Sequence, residues 1–415
     1  MGQSPPGSSY NADGRGLPFF QGKADFGEDH PTPRKWCTEP TRIAEAGDIL
    51  MSIRAPVGPT NVADRRCAFG RGLASIRSKH GIPASLIRHA LRLQEAEIAS
   101  WGTGTTFTAI NKEHFDRIRV PLPPPQLRES IASALDRSVI LRRSSSRHLE
   151  AARTALDRLR FVVLGAAFSG DLTAEWRVRN PNAKPVPHSA FASIRRNERS
   201  VKRTELVIEA PSDRPDSWRS VALGHCVDAL DSMRKPVNST ERATRVGEVP
   251  YYGATGQVGW IDGALFDEEL VLVGEDGAPF LDKSKPIAYI VRGKSWVNNH
   301  AHVLRARSAI TSNSYLKYFL DWFDFAEYVQ GSTRDKLTQG AMNSLPLLLP
   351  PLEEQTEIVK RIEELLQAGK RASSRLVISE RQITRSEQAI LAKAFRGDLN
   401  GVGPARLTVK RTVLR

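Results

Sequence analysis

The sequence predicts an α+β protein in which one unit, a mixed α/β globular region followed by a long helix, occurs twice. Three observations predict it. Placing residue n beside residue n+227 aligns Pro123-Pro124 with Pro350-Pro351, Ile131 with Ile358, Leu149 with Leu376 and Gly170-Asp171-Leu172 with Gly397-Asp398-Leu399. An ungapped match over roughly fifty residues marks an internal repeat, which sets the architecture before any local structure is considered. Within each copy, apolar residues recur at helical spacing between a Pro-rich entry and a closing Gly. Ahead of each helix lie short β-type runs, such as Val271 to Val273 and Ile287 to Val291, broken by Gly and Pro turns.

In chain order, the first globular region covers 1–120 and contains one helical stretch, Pro83 to Ala99. The first long helix, 121–172, enters through Pro121 to Pro125, since Pro is tolerated in a first helical turn, and stops at Gly170, a residue suited to the left-handed C-terminal cap. Leu149, Leu156 and Val163 sit seven apart on it, as Leu376, Ile383 and Ile390 do on the second helix, which is the spacing of a helix-pairing seam. At about 1.5 Å per residue, each helix spans on the order of 60 Å, the dimension of a spacer. A linker, 173–216, follows, with Pro181, Pro185, Pro187, Pro211, Pro215 and a basic segment from Arg195 to Arg203. The second globular region, 217–346, has a helical stretch from Ser314 to Tyr328; the second long helix, 347–399, and a basic tail, 400–415, complete the chain. Weaker similarity upstream sets Gly104-Thr105-Thr106 against Gly331-Ser332-Thr333.

The 415 residues carry 60 Lys plus Arg against 46 Asp plus Glu, a formal net charge of +14, so an anionic partner is expected, nucleic acid first and an anionic membrane second. No window approaches the roughly 18 apolar residues of a spanning helix, and the N-terminus lacks the order of a signal peptide, so a cytoplasmic protein is expected. Cys37, Cys67 and Cys226 are too few and too scattered for a disulfide framework or a metal knuckle and are expected to be reduced structural thiols.

Catalytic constellations are absent. Gly293-Lys294-Ser295 imitates the end of a phosphate-binding loop, but Ala288 stands where its first Gly belongs. Neither the tetrapeptide of adenine methylation nor a strand followed by a Gly-rich cofactor turn occurs. His300 and His302 flank Ala301 on one strand face, where packing is favoured over metal ligation because no third and fourth ligand can be placed. His225-Cys226 lacks an acid at catalytic spacing, and Glu275-Asp276 between Gly274 and Gly277 reads as a tight turn. No catalytic residue and no metal site is assigned.

The order Pro18-Phe19-Phe20-Gln21-Gly22, Asp48 to Gly58, Pro123 to Pro125 and Gly170-Asp171-Leu172 resembles the specificity subunit of type I restriction-modification systems. Pro250-Tyr251-Tyr252-Gly253, Asn298 to Leu304, Gly331 to Arg334 and Pro350-Pro351 repeat the resemblance in the second half. The resemblance implies two target-recognition domains arranged as a pseudo-two-fold repeat, held apart by two long antiparallel coiled-coil helices. It implies a non-catalytic reader of a bipartite target in double-stranded DNA. Two methyltransferase (modification) subunits would carry S-adenosylmethionine, and restriction/translocase subunits would use ATP and Mg, so the chain itself holds no cofactor. The segment Trp218 to Asp231 has no counterpart after Met1, so the first recognition domain is expected to lack its first strand, through a late start or a truncated, inactive chain. A coiled-coil scaffold binding protein partners is the competing class.

DNA contacts are expected from loop residues, with cations on phosphates and a few polar groups at base edges. They are Gln21, Lys23, Arg54 and Arg71 in the first domain, and Tyr252, Lys283, Lys285, Arg334 and Lys336 in the second. Glu353, Glu354 and Gln355 are expected to be exposed at the start of the second helix, as docking groups or, preferably for the two Glu, as acids favoured by the helix macrodipole.

Overall fold

The computed structural model describes residues 1–102, 109–191, 207–208, 213–331, 334–396 and 412–413. Gly104-Thr105-Thr106, Ser332-Thr333, the basic segment Arg195 to Arg203 and Gly397-Asp398-Leu399 lie outside them, as does most of the tail. The chain forms two compact units, Met1–Ala151 with Leu376–Arg415, and Ala152–Arg375. Each therefore combines a globular region with parts of both long helices.

In the first unit, Ile49–Ser52 is buried at every position and forms the middle of an antiparallel sheet, between Thr60–Val62 and Leu73–Ile76. A second sheet sets Leu17–Phe20 parallel to Cys67–Phe69, with Trp36–Cys37 and Ile43–Ala44 added antiparallel. The helix Ala84–Leu93 is amphipathic: Leu86, Ile87, Ala90 and Leu91 enter the core with Ile49, Met51 and Ile76. Ile131 and Leu135 of the first long helix and Leu391 and Phe395 of the second close the same core.

The second unit uses the same pairings. Leu270–Gly274, again fully buried, lies between Ala288–Val291 and Ala301–Ala306, with Val227–Ala229 at the outer edge. Val249–Gly253 runs parallel to Lys294–Val297, and Gly256–Ile261 pairs antiparallel with it. The helix Asn313–Trp322 is capped by the Ser312 hydroxyl, which accepts from the Tyr315 N–H. Gly293, at φ 69°, turns the chain between two strands, so Gly293-Lys294-Ser295 is a turn and a strand start rather than a phosphate cradle.

The long helices are Arg128–Ser169 and Leu352–Arg396, of 42 and 45 residues. The first stops at Gly170, whose φ of 92° is the left-handed cap conformation and where a Cβ would lie 2.7 Å from Pro215 Cγ. Inside the second unit the helices run in opposite directions: Thr173 donates to Glu354, while Leu159, a few turns back, packs where a Cβ on Gly369 would come within 2.4 Å. Inside the first unit, Arg142 meets Glu387 at 3.3 Å. Val163 is buried, and Leu149, Leu156, Leu376, Ile383 and Ile390 are half-buried. Among the described residues no helix is long and apolar enough to cross a membrane. All three cysteines are free and buried; burial pushes the Cys67 thiol up to about 12.

Two expectations are corrected, and the tail adds a pairing. Glu354 and Gln355 are buried, because Glu354 receives hydrogen bonds from Thr173, Arg177 and the Trp218 indole, and the Gln355 amide donates to the carbonyls of Ile310 and Pro350. The early part of the expected linker is packed, since Val186 and Phe191 are apolar anchors set between its prolines and enter the second core. Within the tail, Thr412–Val413 pairs antiparallel with Arg119–Val120, much as Arg219–Ala222 pairs with Pro346–Leu349.

Candidate nucleic-acid interface

In the second unit three loops meet beside the sheet ends. The Glu275 N–H donates to His300 O (2.8 Å), Leu337 N–H to Glu275 O (2.8 Å), and Asp276 bridges to Lys336. The Asn298 N–H donates to Tyr252 O at 3.1 Å, which brings the end of a neighbouring strand to the same place. Gly277 takes φ 68°, a left-handed conformation that favours glycine, and the Arg334 guanidinium lies against it.

The side chains at this junction are mostly charged. His300 Nδ1 is 2.6 Å from Asp276, which Arg334 also approaches at 3.3 Å. Lys336 and Arg234 contact Glu275 at 3.3 and 2.7 Å. Arg334 and Lys336 stay more than half and half exposed, at 59% and 50%, so their pairing to acids leaves donors facing solvent. Beneath them His302 is buried: its Nε2 donates to Leu337 O and its Nδ1 meets Asp231 at 2.6 Å. Asp231, Glu275 and His302 offer three ligand-type atoms within 4.8 Å, but Arg234 already contacts both carboxylates, so protein cations occupy the place a metal would take.

The first unit has a corresponding junction. Ile53 N–H donates to Gly72 O (2.9 Å), Ile110 N–H to Ile53 O (3.0 Å), Arg54 bridges to Ala109, and Gly70 N–H donates to Phe20 O (2.8 Å). Gly72 is pressed against Gln21, where a Cβ would meet the carbonyl oxygen at 2.1 Å. Arg71 is exposed and rests on the Ser4 hydroxyl at 3.2 Å, and Arg54 is exposed. Lys23 begins the short turn after Gln21.

The structure thus gathers Gln21, Arg54 and Arg71 at one junction, with Lys23 one turn along, and Arg334 and Lys336 at the other, with Tyr252 at its edge. Tyr252 is half-buried and packs 5.9 Å from Tyr289. Lys283 and Lys285 instead contact Asp324 and Asp282 at 2.9 and 3.1 Å. Asp276, Asn299 and His300 were not expected at a site. By the backbone pairings Asn299 and His300 take the places of Arg71 and Gly72, and Asp276 that of Arg54, but none keeps its counterpart's chemistry, so the repeat carries no sequence signal for them.

Two α/β modules, each ending in a charged loop junction and each built on parts of two long helices, define a modular recognition protein. A sequence profile for the type I restriction modification DNA specificity domain matches residues 38–143 and 215–372. The chain belongs to that family. It is 39% identical over 163 residues to a putative type I restriction enzyme MjaX specificity subunit of Methanocaldococcus jannaschii, a match spanning 38% of this chain and only 38% of that relative. It is 26% identical over 372 residues to the type I restriction enzyme EcoDI specificity subunit of Escherichia coli, covering 88% of this chain and 79% of the relative. Its fold is similar to a chain in a structure of a type I R-M system, with a TM-score of 0.59 at 19% identity and 92% of each chain covered.

Proposed function

We propose that the chain is the sequence-specificity subunit of a type I restriction-modification complex, each globular unit reading one half of a bipartite DNA target. The observation that carries this reading is that a DNA specificity domain is matched twice along one chain, once in each unit. The net charge of +14 supplies attraction to the phosphate backbone, and the exposed cations of the two junctions supply local contacts.

The chain acts as reader and scaffold, not as enzyme: S-adenosylmethionine, ATP and Mg belong to the two methyltransferase subunits and to the restriction/translocase subunits. Its place of work is the cytoplasm. The domain limits are 1–120 and 217–346, with spacers 121–172 and 347–399. The matched strand pairings support a pseudo-two-fold repeat. The seam of buried Val163 and half-buried Leu149, Leu156, Leu376, Ile383 and Ile390 supports an antiparallel coiled coil, on whose outer faces methyltransferase subunits dock. At about 1.5 Å per residue the helices are roughly 63 and 68 Å long, so they set the gap between half-sites.

The test is co-expression with a type I methyltransferase subunit and genome-wide mapping of methylated adenine. The expected result is one bipartite motif, whose gap changes when 149–155 and 376–382 are deleted together. A contiguous motif, or none from a folded complex, rejects the reading; an unchanged gap rejects the ruler.

A further inference from the structure

The two junctions share a backbone and differ in chemistry. Four links recur: Gly70 N–H to Phe20 O and Asn298 N–H to Tyr252 O; Ile53 N–H to Gly72 O and Glu275 N–H to His300 O; Ile110 N–H to Ile53 O and Leu337 N–H to Glu275 O; and the bridges Arg54 to Ala109 and Asp276 to Lys336. These links set the equivalences. Arg54 stands where the second unit has Asp276, Arg71 where it has Asn299, Gly72 where it has His300, and Ala109 where it has Lys336. Elsewhere the shared frame keeps similar chemistry: Ile49–Ser52 and Leu270–Gly274 are both buried runs, and the two parallel strand pairs recur. A place where geometry is held constant while exposed side chains are exchanged is where two modules reading different targets must differ.

We infer that these junctions are the base-reading sites, with Arg54 and Arg71 reading guanine in one half-site and Asn299, with His300, reading an A·T pair in the other. The inference rests on the proposed DNA-specificity role. Arg71 and Arg54 each present a planar fork of donors, which matches the two acceptors, O6 and N7, on a guanine edge. Asn299 is exposed and presents an amide, whose donor and acceptor match N7 and N6 of adenine. His300 Nδ1 is engaged by Asp276 and its N–H by Asn298 Oδ1, so the ring is held with Nε2 left as its remaining polar atom. Arg334 approaches the same Asp276 oxygen that holds His300.

The methylome assay tests this with Arg71→Ala and Asn299→Ala, both at exposed positions that carry no core contact. Arg71→Ala is expected to relax one G·C position in one half-site only, and Asn299→Ala one A·T position in the other half only, each by about ten- to a hundred-fold in discrimination. Duplex binding by the assembled complex gives the second readout: affinity for the cognate duplex falls while affinity for an unrelated duplex holds. The inference is overturned if both variants keep every position of the motif. It is equally overturned if binding falls alike for cognate and unrelated duplexes, which marks a phosphate contact. If the unsubstituted chain yields no bipartite motif, the DNA-specificity reading fails instead.

Discussion

In each globular unit an arginine–carboxylate pair fastens the domain helix to a long helix, and the two pairs have opposite polarity. In the first unit Arg92, on Ala84–Leu93, reaches Glu387 at 3.1 Å; in the second Asp321, on Asn313–Trp322, reaches Arg160 at 2.7 Å. Glu387 and Arg160 are 227 residues apart, the offset of the repeat, so the same position on two related helices carries an acid in one copy and a base in the other. A domain helix laid on the wrong long helix would set Arg92 against Arg160, or Asp321 against Glu387. Like charges in a poorly hydrated contact cost far more than a correct pair gains, so reversed polarity selects the partner helix more than it adds stability.

The two clamps also differ in burial, which separates the effects of breaking them. The Asp321 side chain is fully buried: one oxygen accepts the N–H groups of Ile287 and Ala288 at 2.9 and 3.1 Å, and the other faces Arg160 and Lys317. Asp321→Ala strands two backbone donors and two cations, and is expected to cost about 3 to 5 kcal/mol. Urea denaturation followed by hydrogen exchange should show the loss in Leu270–Gly274 and spare Ile49–Ser52. Arg92 is 25% exposed, and its acid keeps a second cation, Arg142, at 3.3 Å. Arg92→Ala is therefore expected to cost only about 1 to 2 kcal/mol, seen by the same exchange measurement in the first unit. Equal losses from the two substitutions would remove burial as the difference between the clamps.

The same contrast explains what was legible in the sequence. The repeat, the helix entries at Pro124 and Pro351 and the glycine cap at Gly170 are local signals, and the buried central strands Ile49–Ser52 and Leu270–Gly274 are apolar runs; all were readable. Two-residue strands such as Ile43–Ala44 and Phe266–Asp267 have no period to read. Glu354 reads as an ordinary first-turn acid because its partners Arg177 and Trp218 stand 177 and 136 residues away. Arg54, Arg71, Arg334 and Lys336 were singled out as basic residues in loops near Gly or Pro, and they lie exposed at the two junctions. Asp276 and His300 were assigned to a turn and to packing, since what brings them together is a pairing of loops 24 residues apart. Lys283 and Lys285 met the same loop criterion, but Asp324 and Asp282 hold them.

The smallest expected difference between the units lies in acid. Asp29 joins its loop to the first long helix through Arg143 and to the domain helix through Arg88. The Arg143 guanidinium, helped by Arg88 and opposed by burial, holds the Asp29 carboxyl well below the usual carboxylate range. With the folded value depressed, the unfolded chain binds the proton more readily. The contribution is then complete above the unfolded value of about 4 and is lost as pH falls below it toward the folded one. Because Asp29 is 37% exposed, solvent screening limits the effect to less than about 1 kcal/mol. Hydrogen exchange in Ile49–Ser52 is expected to speed up between about pH 4 and 2 in the unsubstituted chain, and Asp29→Asn should flatten that slope while lowering stability at pH 7. In the second unit Glu268 is lowered likewise by Arg305, but both ends of that pair lie within the sheet region, so it leaves the helix attachment unchanged. An acid slope that persists in Asp29→Asn would assign the sensitivity to another carboxylate and leave the two helix attachments alike in their response to pH.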